Sequence, residues 1–262
     1  MTMSPHASMS PANRPTSPLS TSSSTASSTA SSTDGLIGDA TRSAEKQPVA
    51  AFFDVDLTLL QVSSGSQWIS YLRRRGEVGL GMMLKAAFWT MQYKLSFLDM
   101  ETVGRRLIAD IEGDTEADML QKCESFLSRD ILPYVAPAGR KAVDWHRQQA
   151  HVPVLLTSAT QYVAEPLARE LGIDHVLCTR LLVQEGIFTG HAERPMCYGD
   201  GKVVYAERFA ERHGFDLQQS YFYTDSYSDL PMLLRVGQPR AINPDRRLHR
   251  HARRSGWPIE RW

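Results

Sequence analysis

Beyond residue 47, short runs of apolar residues alternate along the chain with stretches in which apolar residues recur at helical spacing. Residues 49–53 form a continuous apolar run that ends abruptly in acidic residues, as a buried parallel strand would. Further strands are predicted after residue 133, at 152–156, 176–179, 221–223 and 240–242. Because these strands alternate with helices, the pattern predicts an α/β fold with a three-layer, Rossmann-like parallel sheet.

Helical periodicity fills the stretch between the first two strands. Apolar residues recur on one face at the spacing of an α-helix over residues 80–95, 99–112 and 115–128. Later helices are predicted at 162–171, 202–213, 230–234 and 246–254, with a hairpin at 181–189. Residues 64–133 are therefore expected to form an α-helical cap inserted into a core of residues 48–63 and 134–262.

The first 47 residues have a different composition from the rest. Twenty of them are Ser or Thr, and such a stretch lacks the apolar side chains that would offset the entropy of ordering. A disordered tail is predicted for residues 1–47. The segment has neither the apolar run of a secretory signal nor the arginines of a transit peptide.

Charge and cysteine content narrow the functional class. Lys+Arg and Asp+Glu both number 29, whereas a nucleic-acid-binding protein would show a basic excess. Cys123, Cys178 and Cys197 are widely separated, which argues against a disulfide scaffold or a structural zinc site. A cytoplasmic protein without a nucleic-acid partner is expected. No apolar stretch is long enough for a transmembrane span.

Polar residues with catalytic potential follow the predicted strands. Because the carboxyl ends of parallel strands share one edge of a sheet, these side chains should converge there. They are Asp54, Asp56, Thr58, Thr157, Ser158, Lys202, Asp225 and Asp229. Four carboxylates in one small site require a positive neighbour, and Mg²⁺ prefers such oxygen ligands. A lysine and hydroxyl groups suit a phosphoryl group. Metal-assisted phosphoryl transfer through an aspartyl-phosphate is the resulting hypothesis.

Four motifs in order resemble those of the haloacid-dehalogenase-like hydrolases. The run from Phe53 to Leu59 is similar to the family's D-x-D-x-T motif, and the run Leu155-Leu156-Thr157-Ser158 to its second motif. Lys202 matches the third motif, and the run from Asp225 to Asp229 the fourth. A helical insertion directly after the first motif is typical of the phosphoserine-phosphatase-like branch. The resemblance extends from about residue 49 to residue 262.

The resemblance implies a role for each matched residue. Asp54 would be the nucleophile, and Asp56 would protonate the leaving group and then activate water. Mg²⁺ would be held by Asp54, Asp56 (through its main-chain carbonyl) and Asp225, while Asp229 would hold metal-bound water or orient Asp54 and Lys202. Thr58, Ser158 and Lys202 would bind phosphate oxygens. Because the dehalogenase members lack the acid at Asp56, the implied enzyme is a phosphatase.

The substrate is less defined than the chemistry. The phosphoserine enzymes carry a glutamate for the substrate ammonium nine residues after the nucleophile, where this chain has Ser63. The expected substrate is a small phosphorylated metabolite or a lipid head group. One alternative is a phosphoserine-type amino-acid phosphatase with a carboxylate supplied from elsewhere in the cap. The other is a non-catalytic regulatory protein that retains the fold.

Simpler interpretations exist for several of these residues. Lys202 could be a solvated helix residue, and Ser158 or Asp229 could merely cap a helix. The cationic stretch 246–254 predicts a solvated helix face, with peripheral attraction to an anionic membrane as its alternative. The helix at 80–95 carries a second apolar stripe, which favours cap core or a wall of the substrate pocket, with contact to lipid as the alternative.

Overall fold

The computed structural model describes residues 48–77, 79 and 100–262. The predicted tail at 1–47 and the predicted helix at 80–95 lie outside the described residues. In the described part, no helix is both long and apolar enough to cross a membrane.

A six-stranded parallel sheet is the centre of the fold. The strands in chain order are β1 (Ala50–Phe53), β2 (Val152–Thr160), β3 (His175–Thr179), β4 (Leu181–Gln184), β5 (Ile187–Ala192), β6 (Tyr221–Thr224), β7 (Gln238–Ile242) and β8 (Ile259–Glu260). The sheet order is β3-β2-β1-β6-β7-β8, whereas β4 and β5 form a separate antiparallel hairpin. Every neighbouring pair in the six-stranded sheet is parallel. The predicted parallel α/β sheet is therefore confirmed.

Helices separate most of these strands along the chain. They are α1 (Ser64–Arg74), α2 (Met100–Ala109), α3 (Glu116–Phe126), α4 (Pro137–Gln148), α5 (Gln161–Leu171), α6 (Asp200–His213), α7 (Leu230–Arg235) and α8 (Arg246–Ser255). The helices α2 and α3 confirm the predictions at 99–112 and 115–128. The sequence pattern missed α4, whose buried positions Gly139, Val143 and His146 include only one aliphatic side chain.

Both faces of the central strand are buried, which makes the core three-layered. Successive residues of a strand point to opposite faces. Phe53 packs with Leu59 and Leu167 on one face, whereas Phe52 packs with Phe209 on the other. All four residues of β1 are buried. Because helices cover both faces, the polar groups that follow β1 are held by a rigid scaffold.

The three cysteines are buried and unpaired. Burial raises the pKa of Cys123 and of Cys178 to about 12, and it also raises the pKa of Cys197. Because the thiolate is the reactive form of cysteine, these thiols should be inert near neutral pH. The expected absence of a disulfide scaffold agrees with these positions.

His146 in α4 links that helix to the sheet. It is fully buried, and its Nε2 lies 2.9 Å from the hydroxyl of Tyr223 while its Nδ1 lies 2.8 Å from Nδ1 of His151. Burial, followed by the charges of His151 and Arg240, lowers the pKa of His146 to about 3. The imidazole is therefore neutral in the folded protein at any pH near neutrality.

The low pKa of His146 should make the fold sensitive to acid. Below the ordinary histidine pKa of about 6.5, His146 is protonated in the unfolded chain but stays neutral in the folded protein. The free energy of unfolding therefore falls as the pH falls. Between about pH 7.5 and about pH 5, His146 should lower the free energy of unfolding by about 2 kcal/mol. Urea unfolding at both pH values measures the loss. His146→Gln should show a smaller loss, whereas the exposed His249→Gln should match wild type; equal losses in all three proteins would contradict the assignment.

Candidate active site

The end of β1 places Asp54 between two neighbouring strands. Phe53 is in register with Leu155 of β2 and Tyr223 of β6. The N–H of Asp54 continues this ladder by donating to the Tyr223 carbonyl at 2.9 Å. Beyond it the chain enters a tight turn, in which Leu57 adopts a positive φ of 56°. Asp54 thus lies at the carboxyl edge of the sheet, as predicted.

Lys202 connects two of the predicted carboxylates. Its Nζ lies 2.7 Å from Oδ1 of Asp54 and 2.7 Å from Oδ2 of Asp229. The side chain is almost completely buried, so the interpretation as a solvated helix residue is wrong. Burial alone lowers the pKa of Lys202, but the charges of Asp229 and Asp54 raise it above its ordinary value. The site therefore contains a fixed ammonium charge.

Asp229 is positioned by hydrogen bonds rather than by helix capping. It immediately precedes α7, but its side chain makes no cap hydrogen bond to that helix. Its Oδ2 instead accepts from Lys202 and from the hydroxyl of Thr224, both at 2.7 Å. The sequence interpretation overlooked Thr224. Its position as the last residue of β6, directly before Asp225, is the signal that could have identified it.

The carboxylate of Asp56 lies at the amino terminus of α1. Its Oδ1 accepts a hydrogen bond from the N–H of Ser64 at 3.0 Å. Burial raises the pKa of Asp56, although hydrogen bonds from Ser64 and Ser63 oppose the shift. A carboxyl group that retains its proton at higher pH than usual is suited to act as a general acid.

Asp225 and Asp54 show the electrostatic cost of crowded carboxylates. Burial, together with the charges of Asp54 and Asp229, raises the pKa of Asp225 to about 8. Burial raises the pKa of Asp54 to about 7 despite the opposing charge of Lys202. A divalent cation would favour the charged form of both groups, because a nearby positive charge lowers a carboxylate pKa.

The donor set suits a hard cation that retains water. Among the described residues, no three His, Cys, Asp or Glu side chains are grouped to hold a metal by themselves. Mg²⁺ commonly binds one or two carboxylates and keeps several waters, so two carboxylates and a main-chain carbonyl would suffice. The buried Thr58 hydroxyl has no hydrogen-bond partner in the described structure. A bound oxygen ligand would satisfy this orphaned group.

Ser158 lies on the exposed edge of the site. β2 continues beyond the predicted end at residue 156 and reaches Thr160, so Ser158 belongs to the end of the strand and is exposed. The N-cap of α5 is Thr160, and the interpretation of Ser158 as a helix cap is therefore wrong. Thr157 is buried, and its hydroxyl accepts from the N–H of Ala159 at 3.1 Å. Ser158 remains open to a ligand.

A second residue that sequence reasoning missed supports the loop after β6. The N–H of Asp245 donates to the carbonyl of Asp225 at 2.8 Å, and its Oδ2 accepts from the N–H of Tyr227 at 2.7 Å. Its Oδ1 accepts from the N–H of Leu248 at 2.8 Å and thereby caps α8. Asp245 thus ties the amino terminus of α8 to the loop that carries Asp225.

Comparisons with known proteins show which proteins this chain is similar to. A model of the family described as haloacid dehalogenase-like hydrolase matches residues 51–234. The chain is 33% identical over 229 residues to a phosphoserine phosphatase of Mycobacterium tuberculosis, covering 84% of this chain and 74% of the relative. It is 27% identical over 214 residues to a histidinol-phosphatase of Neisseria meningitidis, covering 80% and 96%.

A solved structure extends the similarity to three dimensions. A protein of unknown function from Bordetella pertussis superposes with a TM-score of 0.74 and 27% sequence identity, covering 82% of this chain and 99% of that one. The predicted fold and the predicted enzyme class, a phosphatase, are confirmed by these relatives taken together.

Proposed function

The chain belongs to the haloacid dehalogenase-like hydrolase family, and from this premise we propose that it hydrolyses phosphate monoesters through a phosphorylated Asp54. The observation that carries the proposal is the buried contact of Lys202 with both Asp54 and Asp229. A fixed ammonium group orients the nucleophile and stabilises the charge that develops on the transferred phosphoryl group.

In the proposed first step, Asp54 attacks phosphorus and the ester bond breaks. Asp56 donates its proton to the leaving oxygen, for which its raised pKa is suited. In the second step Asp56, now a carboxylate, accepts a proton from water, and that water attacks the aspartyl-phosphate. The products are an alcohol, inorganic phosphate and the original carboxylate of Asp54. Ser158, Thr58 and Lys202 would contact phosphoryl oxygens.

Mg²⁺ is the proposed cofactor. Asp54, Asp225 and the main-chain carbonyl of Asp56 would hold it, and when bound it would neutralise charge on the phosphoryl oxygens. The raised pKa values of Asp54 and Asp225 support a cation between them. Asp229 is proposed to position Lys202, because Lys202 and Thr224 already occupy its Oδ2.

Residues 64–133 are proposed to form a cap that selects the substrate. Of this region the structure describes α1, α2 and α3, and α3 packs against α5 of the core. Closure of a cap would exclude bulk water while the aspartyl-phosphate exists. Asp54, Asp56 and the other site residues of the core would set the chemistry, and the cap would select the leaving group.

The proposed substrate is a small phosphorylated metabolite or a lipid head group. Ser63, at the position of the ammonium-binding glutamate, is the N-cap of α1 and accepts from the N–H of Ser66 at 3.4 Å. A neutral hydroxyl engaged in this way supplies no counter-charge for an amino group. Phosphate esters that carry an ammonium group should therefore be hydrolysed with a lower kcat/KM than phosphorylated alcohols that lack an amino group.

Metal removal tests the proposed chemistry. With an aryl phosphate as substrate, chelation of divalent cations should lower kcat by about a hundredfold or more, because a metal contributes several kcal/mol to the transition state. Added Mg²⁺ should restore the rate. Phosphoserine, histidinol phosphate, sugar phosphates and lysophosphatidic acid should then be compared by kcat/KM. Full activity in the presence of chelator would refute the metal-dependent mechanism, and no hydrolysis of any ester would favour a non-catalytic role.

A further inference from the structure

A cavity of about 250 Å³ lies between α2 and the end of β5 with the segment that follows it. Arg105, Ile108 and Ala109 line it from the helix, and His191, Arg194 and Met196 line it from the opposite side. None of the residues proposed for catalysis lines this cavity. It is therefore separate from the carboxylate cluster around Lys202.

Two glycines beside the cavity are closely approached by side chains from the opposite segment. A β-carbon at Gly104 of α2 would lie 3.2 Å from Cε of Met196. Gly190 of β5 has a φ of 70°, and a β-carbon there would lie 2.9 Å from Cβ of Glu112. The helix therefore packs against the loop after β5 at Gly104, and the turn that follows the helix packs against β5 at Gly190.

The helical wall of the cavity is set by α-helix geometry. Residues three and four positions apart share a face of a helix, so Arg105, Ile108 and Ala109 point the same way. One face of α2 therefore forms this wall of the cavity. Ile108 and Ala109 give this wall an apolar surface next to the guanidinium of Arg105.

The fixed charges on the cavity lining are two arginines, Arg105 and Arg194, and the carboxylate of Glu112 lies beside the lining residue Gly190. Arg105 lies on one wall and Arg194 and His191 lie on the other, all three exposed to solvent. Within the described residues, no ion pair neutralises any of the three, and Arg105 donates instead to the neutral hydroxyl of Thr102 at 3.0 Å. Two guanidinium groups that share a small cavity repel each other, and an anion between them reverses the sign of the interaction.

We propose that this cavity is a second anion site, which binds a phosphate group carried either by free inorganic phosphate or by a small organic phosphate. Arginine pairs bind phosphate oxygens well, because each guanidinium presents several N–H donors in one plane. The apolar side chains of Ile108, Ala109 and Met196 would accommodate the carbon portion of an organic phosphate. The site does not depend on the reaction proposed at Asp54.

An anion in this site would connect α2 with the loop that leads to Lys202. The carbonyl oxygen of Met196 would lie only 1.9 Å from a β-carbon at Gly201, so the loop packs directly on the residue before Lys202. Arg105 and Arg194 would hold one phosphate between these two segments. Met196, which lines the cavity, therefore packs against Gly201, the residue before Lys202.

Calorimetric titration with inorganic phosphate tests the site. Wild type should bind one phosphate per chain more than the double variant Arg105→Gln/Arg194→Gln, or bind it at least tenfold more tightly. The control is Arg106→Gln, an exposed arginine of α2 that does not line the cavity; it should bind like wild type. Competitive inhibition by phosphate of ester hydrolysis reports the catalytic site and should be the same in all three proteins.

The outcomes separate the ligand sources and the possible failures. The two ligands are compared in Asp54→Asn, which should not hydrolyse an ester. Glycerol 3-phosphate that binds there tenfold more tightly than phosphate would identify an organic phosphate as the ligand, and equal affinities would identify free phosphate. Unchanged binding in the double variant, or an equal loss in Arg106→Gln, would overturn the proposal. Because the titration needs no turnover, a failure of the proposed catalytic function would leave this result interpretable.

Discussion

Asp54→Asn is expected to lower kcat by at least about a thousandfold while the protein stays folded, because an amide does not form the phosphorylated intermediate that a carboxylate forms. The change is nearly isosteric. It removes an ion pair with Lys202 but also relieves the repulsion that raises the pKa of Asp225. The melting temperature should consequently shift by less than about 5 °C.

Steady-state hydrolysis of an aryl phosphate and thermal unfolding measure the two parts of this expectation. The matched control is Asp174→Asn, which neutralises an exposed aspartate after α5 and should retain the wild-type kcat. A second readout uses acid-quenched protein incubated with labelled substrate, in which wild type should carry covalent phosphate and Asp54→Asn should not. Turnover close to wild type in Asp54→Asn would exclude Asp54 as the nucleophile.

Lys202→Met should damage both activity and stability. The ammonium group lies 2.7 Å from carboxylate oxygens of Asp54 and Asp229, and both carboxylates are buried. Removing one partner of a buried ion pair leaves uncompensated charge and typically costs about 3–5 kcal/mol. We expect the free energy of unfolding to fall by about that amount and kcat to fall by about a hundredfold or more, since the phosphoryl group loses an electrostatic partner.

A double variant distinguishes the electrostatic explanation from simple loss of packing. Lys202→Met combined with Asp229→Asn removes one of the two stranded carboxylates, so it should recover part of the lost stability without recovering activity. Lys141→Met, at an exposed position of α4, is the control for the substitution itself and should change neither quantity. Urea unfolding measures the stabilities. If the double variant is less stable than Lys202→Met, buried charge is not the cause.

The sequence could predict the site because its residues follow strands. Asp54 comes directly after the apolar run at 49–53, and Asp225 comes directly after the end of β6. In a parallel sheet these ends meet at one edge whatever the loops do. The local pattern around each motif therefore carried information about which side chains meet in three dimensions.

Other features depend on individual side-chain and backbone contacts. The hydroxyl of Thr224 and the backbone of Asp245 act through specific hydrogen bonds, which no periodic pattern encodes. The helix α4 was missed because a glycine and a histidine, Gly139 and His146, occupy two of its three buried positions. Gly139 faces Leu59 and Trp262, and His146 contacts Tyr223 of the sheet, so their burial is decided by the residues they face rather than by their own hydrophobicity.

The inert thiols have a practical consequence for measuring motion. The chain contains only three cysteines, and all three are buried. Cysteines introduced at two exposed positions, Arg106 on α2 and Glu211 on α6, would therefore be the preferred targets of maleimide dyes. A donor and acceptor pair at these two positions would report the distance between the two helices in single molecules, without removal of any native cysteine.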